Sequence, residues 1–191
     1  MEQNGYKIIL ASNSPRRKEL LSGLDIVYET RVLPDVDESY SNTLPLEGVP
    51  DYLAKKKASA YLQQLNDEEL LITSDTVVLL DNIILGKPAN EEEAALMLRT
   101  LSGKTHKVIT AVCLTSIEKQ VCFSDTSLVT FGQLTDSEIS YYISRYKPFD
   151  KAGAYGVQEW IGYVAVERIE GSYYNVMGMP VFKLYKKLKE F

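Results

Sequence analysis

The sequence predicts an α/β fold built as one domain over residues 1–191. Strand patterns and helix patterns alternate from the start of the chain, which is typical of a sheet covered by helices. No low-complexity linker and no repeat of fixed period interrupts the alternation. A chain of 191 residues with 45% hydrophobic residues is also long enough to bury a substantial core. Together these observations favour one α/β unit without a flexible hinge segment.

The first third of the predicted fold is a strand, a helix, a second strand and a loop. A short apolar strand is expected at 6–11. Ser14 then offers an N-cap and Pro15 the first position of a helix, because serine and proline favour these two places. Residues 26–33 look extended, and the acidic, proline-containing stretch 34–45 is typical of a surface loop.

A long helix and a β-hairpin are predicted next. Apolar residues at helical spacing predict a helix over 49–65, with three consecutive lysines running around one turn. The run 70–80 is a strand, and Asp81-Asn82 is expected to turn it into a second strand at 83–85.

The second half of the chain continues the alternation. Asn90 is the expected N-cap of a helix over 91–101, and Thr135 that of a helix through Tyr146. The remaining predicted elements are an antiparallel pair at 107–115 and 120–131, a strand pair at 163–169 and 173–176, and a closing amphipathic helix at 180–188.

The charge balance argues against a general affinity for polyanions. The formal net charge is −5, so DNA, RNA and anionic membranes would be repelled over most of the surface. No apolar run approaches the roughly 20 residues that span a bilayer, and the N-terminal MEQNGYKIIL does not resemble a signal peptide. We therefore expect a cytoplasmic protein without a nucleic-acid or membrane partner. The oligomeric state stays open, and a homodimer is one option.

The cysteines and the histidine are expected to be structural. Cys113 and Cys122 each lie in an apolar segment without the CxxC spacing or histidine company of a zinc site, so we expect buried free thiols. His106 has no serine or cysteine nucleophile in a recognisable setting, so a structural or hydrogen-bonding role is expected.

Residues 11–21, ASNSPRRKELL, are the first candidates for chemistry. Unpaired backbone N–H groups and the positive end of the dipole favour an anion at the start of a helix. Arg16 and Arg17 would add bidentate contacts to a phosphate. A capped helix that merely shows two solvated arginines is the equally weighted alternative.

Asp75 is the second candidate, because it interrupts an apolar run in which a strand should be buried. An unpaired buried carboxylate is costly, so a partner must compensate it. If Asp81-Asn82 is a two-residue turn, Lys87 lies opposite Thr76, beside the aspartate. The resulting pair is either a simple buried ion pair or part of a catalytic site in which Asp75 is the general base towards water.

Two loops supply further polar candidates. Asp35, Asp37 and Glu38 suit a hard cation such as Mg²⁺, and a merely solvated acidic loop is the alternative. In DKAGAYGVQ, small residues let backbone approach a ligand, Lys151 and Gln158 offer polar contacts, and the amide of Gln158 can bind a base edge. A tight loop without a ligand is the alternative there.

Eight motifs follow one another along the chain, namely ASNSPRRKELL, VDES, LAKKKA, SDTVV, LGKP, LSGKTHKVIT, DKAGAYGVQ and EGSYYNVMGMP. In this order they resemble the Maf family of nucleoside triphosphate pyrophosphatases, and the resemblance covers nearly the whole chain. It implies an elongated mixed β-sheet flanked by helices, with two lobes around a cleft, similar to the inosine triphosphatase-like fold. It also implies hydrolysis of a nucleoside triphosphate to the monophosphate and pyrophosphate.

The resemblance also implies roles for individual residues. Asp75 matches the proton acceptor of the family, and a divalent cation, Mg²⁺ or Mn²⁺, is the implied cofactor. The other matching positions are Arg16, Thr76 and Gln158 for substrate specificity, Ser12, Arg17, Lys57 and Lys87 for phosphate, and Glu38 for the metal.

The substrate implied by the resemblance is dTTP or UTP, attacked at the α-phosphorus. SPRR together with SDT and YGVQ resembles the branch with this preference, and the branch acting on 7-methyl-GTP differs at these three places. After Gln158 the family often has glycine-rich sequence, whereas this chain has Glu159-Trp160-Ile161. The alternatives are 7-methyl-GTP or modified pyrimidine nucleotides as substrates, and a nucleotide-binding regulator, since the family is also linked to inhibition of septum formation.

Overall fold

The computed structural model describes residues 5–191 and confirms the α/β class. In this range the strands are β1 (Lys7–Leu10), β2 (Tyr28–Thr30), β3 (Glu69–Leu80), β4 (Ile83–Leu85), β5 (Thr105–Thr115), β6 (Gln120–Phe131) and β7 (Val166–Glu170). The helices are α1 (Pro15–Ser22), α2 (Val49–Tyr61), α3 (Glu91–Leu101), α4 (Asp136–Tyr146), α5 (Trp160–Val164), α6 (Tyr173–Met177) and α7 (Val181–Glu190). Short 3-10 turns lie at Leu46–Gly48, Leu62–Gln64 and Ala152–Ala154.

The strands form a mixed sheet flanked by helices. β1 pairs in parallel with β2 and with β3, whereas β4 pairs antiparallel with β3 and β7 with β6. The order is β2-β1-β3-β5-β6-β7, with β4 paired to β3 outside this path. Parallel neighbours need a crossover between them, and α1 provides it for β1 and β2. The mixed sheet agrees with the prediction.

The chain forms two compact units. Among the described residues, the first comprises those up to Asp75, Thr110–Asp125 and Gly178–Phe191, and the second Thr76–Ile109 and Thr126–Met177. β3, β5 and β6 each contribute residues to both units. The assignment of 1–191 to one domain stays a prediction.

The start of each long helix follows from its local sequence. The side chain of Asn90 accepts a hydrogen bond from the Glu93 N–H at 2.9 Å, as predicted. Thr135 and Glu138 form a reciprocal capping box at the start of α4. Ser14 precedes α1, but its side chain makes no capping hydrogen bond. None of the helices in the described part of the chain has both the length and the apolar character needed to cross a bilayer.

The core of the first unit lies between α2 and the strands. Ala54, Ala58 and Tyr61 are spaced as one face of a helix and are fully buried or nearly so. The buried cluster consists of Ile9, Ala54, Ala58, Tyr61, Leu71, Ala111 and Cys113. This packing fixes α2 against β1 and β3, which matters because α2 carries the three consecutive lysines.

The expectation of free thiols is wrong, because Cys113 and Cys122 are joined by a disulfide bond. The turn between β5 and β6 is closed by a hydrogen bond from the Ser116 N–H to the Lys119 carbonyl oxygen at 2.9 Å. The same register carried back along both strands puts the two cysteines opposite each other, with their Cα atoms 4.1 Å apart.

The strand pair predicted at 163–169 and 173–176 is only half correct. β7 is present, but α5 covers the start of the first segment and α6 replaces the second strand. The physical reason is Asn175, which is fully buried and donates its amide N–H groups to the Val108 carbonyl oxygen and the Ser127 hydroxyl, both at 3.0 Å. A turn of helix places this side chain inward, so tertiary contacts override the strand propensity of the tyrosines.

His106 lies in the core of the second unit. It is 1% exposed, its Nε2 is 2.8 Å from the Tyr155 hydroxyl, and its ring meets those of Phe131 and Tyr155 edge-on. Burial lowers the pKa of His106 to about 4. These contacts agree with the structural role expected for it.

Replacing His106 with glutamine is expected to flatten the pH dependence of stability. The unfolded histidine has a pKa of about 6.5, so between pH 6.5 and the folded pKa of about 4 the unfolded state binds an extra proton and stability falls as pH falls. The gap in unfolding free energy between wild type and His106→Gln should shrink by about 2 kcal/mol from pH 7 to pH 5. Urea unfolding at both pH values measures it, and an unchanged gap would contradict the buried neutral histidine.

Candidate active site

Asp75 lies on β3 with its side chain on the face covered by α2. Thr73, two residues earlier and therefore on the same face of the strand, donates its hydroxyl hydrogen to the Ala54 carbonyl oxygen of α2 at 2.8 Å. Asp75 itself is 8% exposed. The predicted buried carboxylate is therefore present, and it is directed towards the helix that carries the lysines.

Lys57 is the cation that compensates this carboxylate. Its Nζ lies 2.6 Å from Oδ1 of Asp75 and 3.0 Å from Oε1 of Glu38. The side chains of Lys57 and Asp75 are 15% and 12% exposed, so most of this pair is withdrawn from water. One lysine thus joins the strand carboxylate to the acidic loop.

The hairpin predicted to bring Lys87 beside Asp75 is present, but Asp75 pairs with Lys57, and the placement of Lys87 beside it stays a prediction. The register itself is as predicted, with pairs from Val78↔Leu85 to Leu80↔Ile83. However, β4 ends at Leu85, so the pairs that would include Lys87 are not part of the ladder, and the Lys87 side chain is exposed.

A signal for Lys57 was present in the sequence. Lys57 follows Leu53 by four residues and Ala54 by three, so it lies within the buried face of α2 rather than on its solvent face. A lysine in an apolar stripe needs an anionic partner, and Asp75 on the covered strand provides it.

The turn between β1 and α1 is held by the EGSYYNVMGMP motif. Arg17, in the first turn of α1, donates its Nε–H to the Gly178 carbonyl oxygen at 3.1 Å. Ser74 of β3 donates its hydroxyl to the same oxygen at 3.5 Å. Gly178 has a φ of 113°, a conformation that favours glycine. No role was predicted for Gly178, although its carbonyl oxygen binds an arginine of the candidate site.

The pKa of Arg17 reflects its burial and the charged side chains near it. Burial lowers the pKa of the Arg17 guanidinium, while the negative charges of Asp75 and Glu38 oppose the lowering and the positive charge of Arg16 adds to it. A guanidinium stays protonated in proteins in spite of such shifts. Arg17 is therefore a cation within electrostatic reach of both carboxylates.

Ser12 shapes the same turn from its other side. It is 8% exposed, and its Oγ accepts a hydrogen bond from the Ser14 N–H at 3.2 Å. A hydroxyl that accepts in this way keeps its own hydrogen to donate. Its predicted contact with phosphate requires such a donor.

The acidic loop separates its carboxylates. Asp37 accepts hydrogen bonds from Lys56 Nζ at 2.7 Å and from the Ser39 N–H at 2.8 Å. These hydrogen bonds lower the pKa of Asp37 to about 2, and the one from Lys56 has the largest effect. Glu38 instead turns to Lys57. Among the loop carboxylates in the described part of the chain, Glu38 is the one that shares the Nζ of Lys57 with Asp75.

Glu38 and Asp75 form a donor set that fits a divalent cation bound together with phosphates. One oxygen of each carboxylate contacts the same Nζ, so the two carboxylates lie close together and each keeps a second oxygen. Within residues 5–191 no group of three or more His, Cys, Asp and Glu side chains is placed to hold a metal. Mg²⁺ commonly uses one or two carboxylates and takes its other ligands from water and substrate phosphates. Two carboxylates are sufficient for such a site.

Thr76, Lys87 and Gln158 belong to the second unit. There the LGKP and DKAGAYGVQ segments are tied together, because the Gly153 N–H donates to the Gly86 carbonyl oxygen at 3.0 Å. Gly153 has a φ of 69°, and a Cβ at this position would lie 3.0 Å from a methyl group of β3. The loop that leads to Gln158 therefore requires glycine where it crosses β3.

Gln158 carries a hydrogen-bond acceptor without a partner among the described residues. Its Oε1 is closed off from solvent and accepts no hydrogen bond there. Such an unsatisfied buried acceptor costs about 1–3 kcal/mol.

Comparison with known proteins gives close relatives over almost the full length. A family model described as Maf-like protein matches residues 7–191. A protein named dTTP/UTP pyrophosphatase from Porphyromonas gingivalis (strain ATCC BAA-308 / W83) is 59% identical over 188 residues, which cover 97% of this chain and 94% of that protein. One of the same name from Phocaeicola vulgatus is 58% identical over 185 residues, covering 97% and 96%.

Among solved structures, a HAM1 protein from Coxiella burnetii matches with a TM-score of 0.43 and 14% identity, covering 68% of this chain and 74% of that one. This likeness is too weak to carry an argument, and the fold is defined by the strand order of the chain itself.

Proposed function

Because the chain belongs to the Maf family, we propose that it hydrolyses dTTP and UTP to the nucleoside monophosphate and pyrophosphate. The observation that carries the proposal is the buried Asp75, held by Lys57 beside Glu38. A carboxylate in this setting suits proton transfer, and its cationic surroundings suit a polyphosphate. The similarity to proteins named dTTP/UTP pyrophosphatase supports the choice of nucleotide.

In the proposed reaction Asp75 takes a proton from the attacking water. Lys57 contacts Oδ1 of Asp75, and we assign the second oxygen, Oδ2, to the water. Abstraction of the proton raises the nucleophilicity of the water towards the α-phosphorus, and pyrophosphate leaves. General-base catalysis of this kind contributes typically about 10²–10⁴-fold to a rate.

The triphosphate is bound by cations and backbone donors. We assign its oxygens to the first turn of α1 and to the side chains of Ser12, Arg17, Lys57 and Lys87. Glu38, next to Asp75, would hold Mg²⁺ or Mn²⁺, which neutralises phosphate charge when bound. Phosphoryl transfer depends mostly on positioning and charge neutralisation, so this set is chemically sufficient.

The base is assigned to Gln158, with Arg16 and Thr76 as further specificity residues. Thymine and uracil present an N–H at ring position 3, and cytosine presents a bare nitrogen there. The amide of Gln158 carries both a donor and an acceptor, and its oxygen would accept from that N–H. This chemistry supports dTTP and UTP over CTP.

A substrate panel tests the proposal. Pyrophosphate release is measured from dTTP, UTP, CTP, 7-methyl-GTP and ITP, with Mg²⁺ and with Mn²⁺. We expect the highest kcat/KM with dTTP and UTP. The highest value with 7-methyl-GTP would place the chain in the other branch, and no release from any nucleotide would indicate a protein that only binds.

The cytoplasmic location and the homodimer stay predictions.

A further inference from the structure

In the second unit, Tyr142, Lys151 and Glu159 form a polar network that contacts the loop before Gln158. The carboxylate of Glu159 accepts a hydrogen bond from the Tyr142 hydroxyl through Oε2, and its Oε1 lies 3.1 Å from Lys151 Nζ. Tyr142 is fully buried, Lys151 is 7% exposed and the side chain of Glu159 is 19% exposed. The groups are therefore held in a medium where hydrogen bonds to charges are strong.

The network fixes the backbone of the loop at Gly156. The Gly156 N–H donates to the Tyr142 hydroxyl oxygen at 3.0 Å, and the Gly156 carbonyl oxygen accepts from the Glu159 N–H at 2.9 Å. Both polar groups of this glycine are thus satisfied by the network. Gly156 lies two residues before Gln158, so its position sets where the Gln158 side chain begins.

Side chains pack around the same glycine at close contact. A Cβ on Gly156 would lie 3.0 Å from Cδ of Glu159, 3.0 Å from Cε of Lys151 and 3.1 Å from Nε2 of Gln158. The Gln158 amide therefore rests on the same small surface as the Glu159 carboxylate and the Lys151 stem.

The Tyr142 hydroxyl acts as donor and acceptor at once. Burial, and next the hydrogen bond to Glu159, raise the pKa of Tyr142, so the phenol stays protonated at physiological pH. It donates to Glu159 and accepts from Gly156. The phenol ring itself stacks on Tyr146, with ring centres 5.1 Å apart. Ring packing and hydroxyl chemistry are therefore separable by a single substitution.

We infer that Tyr142 and Glu159 are positioning residues for Gln158 and that they set the choice of base. The inference rests on the proposed function, in which Gln158 binds the base. Neither residue is assigned to phosphate, metal or water, so their loss alters the discrimination between nucleotides more than the rate of hydrolysis. The contribution of the network is the entropy saved by holding the loop backbone before Gln158 in one conformation.

The test compares Tyr142→Phe and Glu159→Gln with wild type, using UTP and CTP as paired substrates. Tyr142→Phe keeps the stacked ring and removes the hydroxyl, and we expect the ratio of kcat/KM for UTP over CTP to fall roughly tenfold, the value of one hydrogen bond of about 1.4 kcal/mol. The change should appear mainly in KM for UTP. Glu159→Gln keeps an acceptor for Tyr142 and should lose less.

Tyr141→Phe is the matched control. Tyr141 is the preceding residue on α4, it is 49% exposed, and its ring meets Trp160 rather than the network. This variant should keep the wild-type ratio. An unchanged ratio in both Tyr142→Phe and Glu159→Gln overturns the inference, as does an equal loss with UTP and CTP. A wild type that hydrolyses neither nucleotide overturns the proposed function, and the inference with it. An active wild type with an unchanged ratio in both variants overturns the inference alone.

Discussion

Replacing Asp75 with asparagine is expected to abolish turnover of dTTP and UTP while leaving nucleotide binding measurable. Asparagine has the same size and can still contact Lys57 through its amide oxygen, but it cannot accept a proton from water. The rate of pyrophosphate release should fall by about 10²–10⁴-fold. Titration calorimetry with UTP and Mg²⁺ measures binding by the same variant.

Asp37→Asn is the matched control for this experiment. Asp37 lies in the acidic loop, and its side chain is 65% exposed and pairs with Lys56 on the surface. The same chemical change there should leave pyrophosphate release near the wild-type rate. Full activity in Asp75→Asn would refute the general-base assignment, and loss of binding together with turnover would assign Asp75 to binding instead.

Replacing Lys57 with methionine is expected to produce the second large effect. Methionine keeps most of the volume of the side chain but removes the charge between Asp75 and Glu38, so two neighbouring carboxylates face the nucleotide phosphates without their cation. We expect kcat/KM for UTP to fall by about 10²–10³-fold, the usual loss when one charge-stabilising group is removed. Lys57→Arg, which keeps the charge, should retain part of the activity.

Lys55→Met serves as the control on the same helix. Lys55 pairs with Asp51 at 2.6 Å, and the side chain is 49% exposed. Such a surface pair contributes about 0–1 kcal/mol, so neither stability nor activity should change much. Comparable activity of Lys57→Met and Lys55→Met would contradict the role given to Lys57.

Local signals made much of the fold predictable. The caps at Asn90 and Thr135 and the Asp81-Asn82 turn depend on hydrogen bonds within a few residues, and each is found where the sequence predicted it. The α6 helix was missed because its cause is the buried Asn175, whose partners lie 48 and 67 residues away in sequence. Contacts of that range leave no periodic pattern in the local sequence.

The candidate site was predictable in its residue types and less so in its pairings. Extending the hairpin register suggested Lys87 as the partner of Asp75, whereas the structure uses Lys57. That pairing depends on the packing of α2 on β3, which is a tertiary contact. Its one signal in the sequence is the position of Lys57 within the apolar face of α2. The disulfide was missed for a related reason, since the register of the β5–β6 hairpin was not carried on to Cys113 and Cys122.

The fate of the water oxygen tests the central claim most directly. Hydrolysis of dTTP is carried out in water enriched in the heavy isotope of oxygen, and the masses of both products are measured by mass spectrometry. If Asp75 delivers water to the α-phosphorus, the heavy oxygen appears in the nucleoside monophosphate and the pyrophosphate stays unlabelled. Label in the pyrophosphate, or formation of the nucleoside diphosphate and inorganic phosphate, would contradict the mechanism.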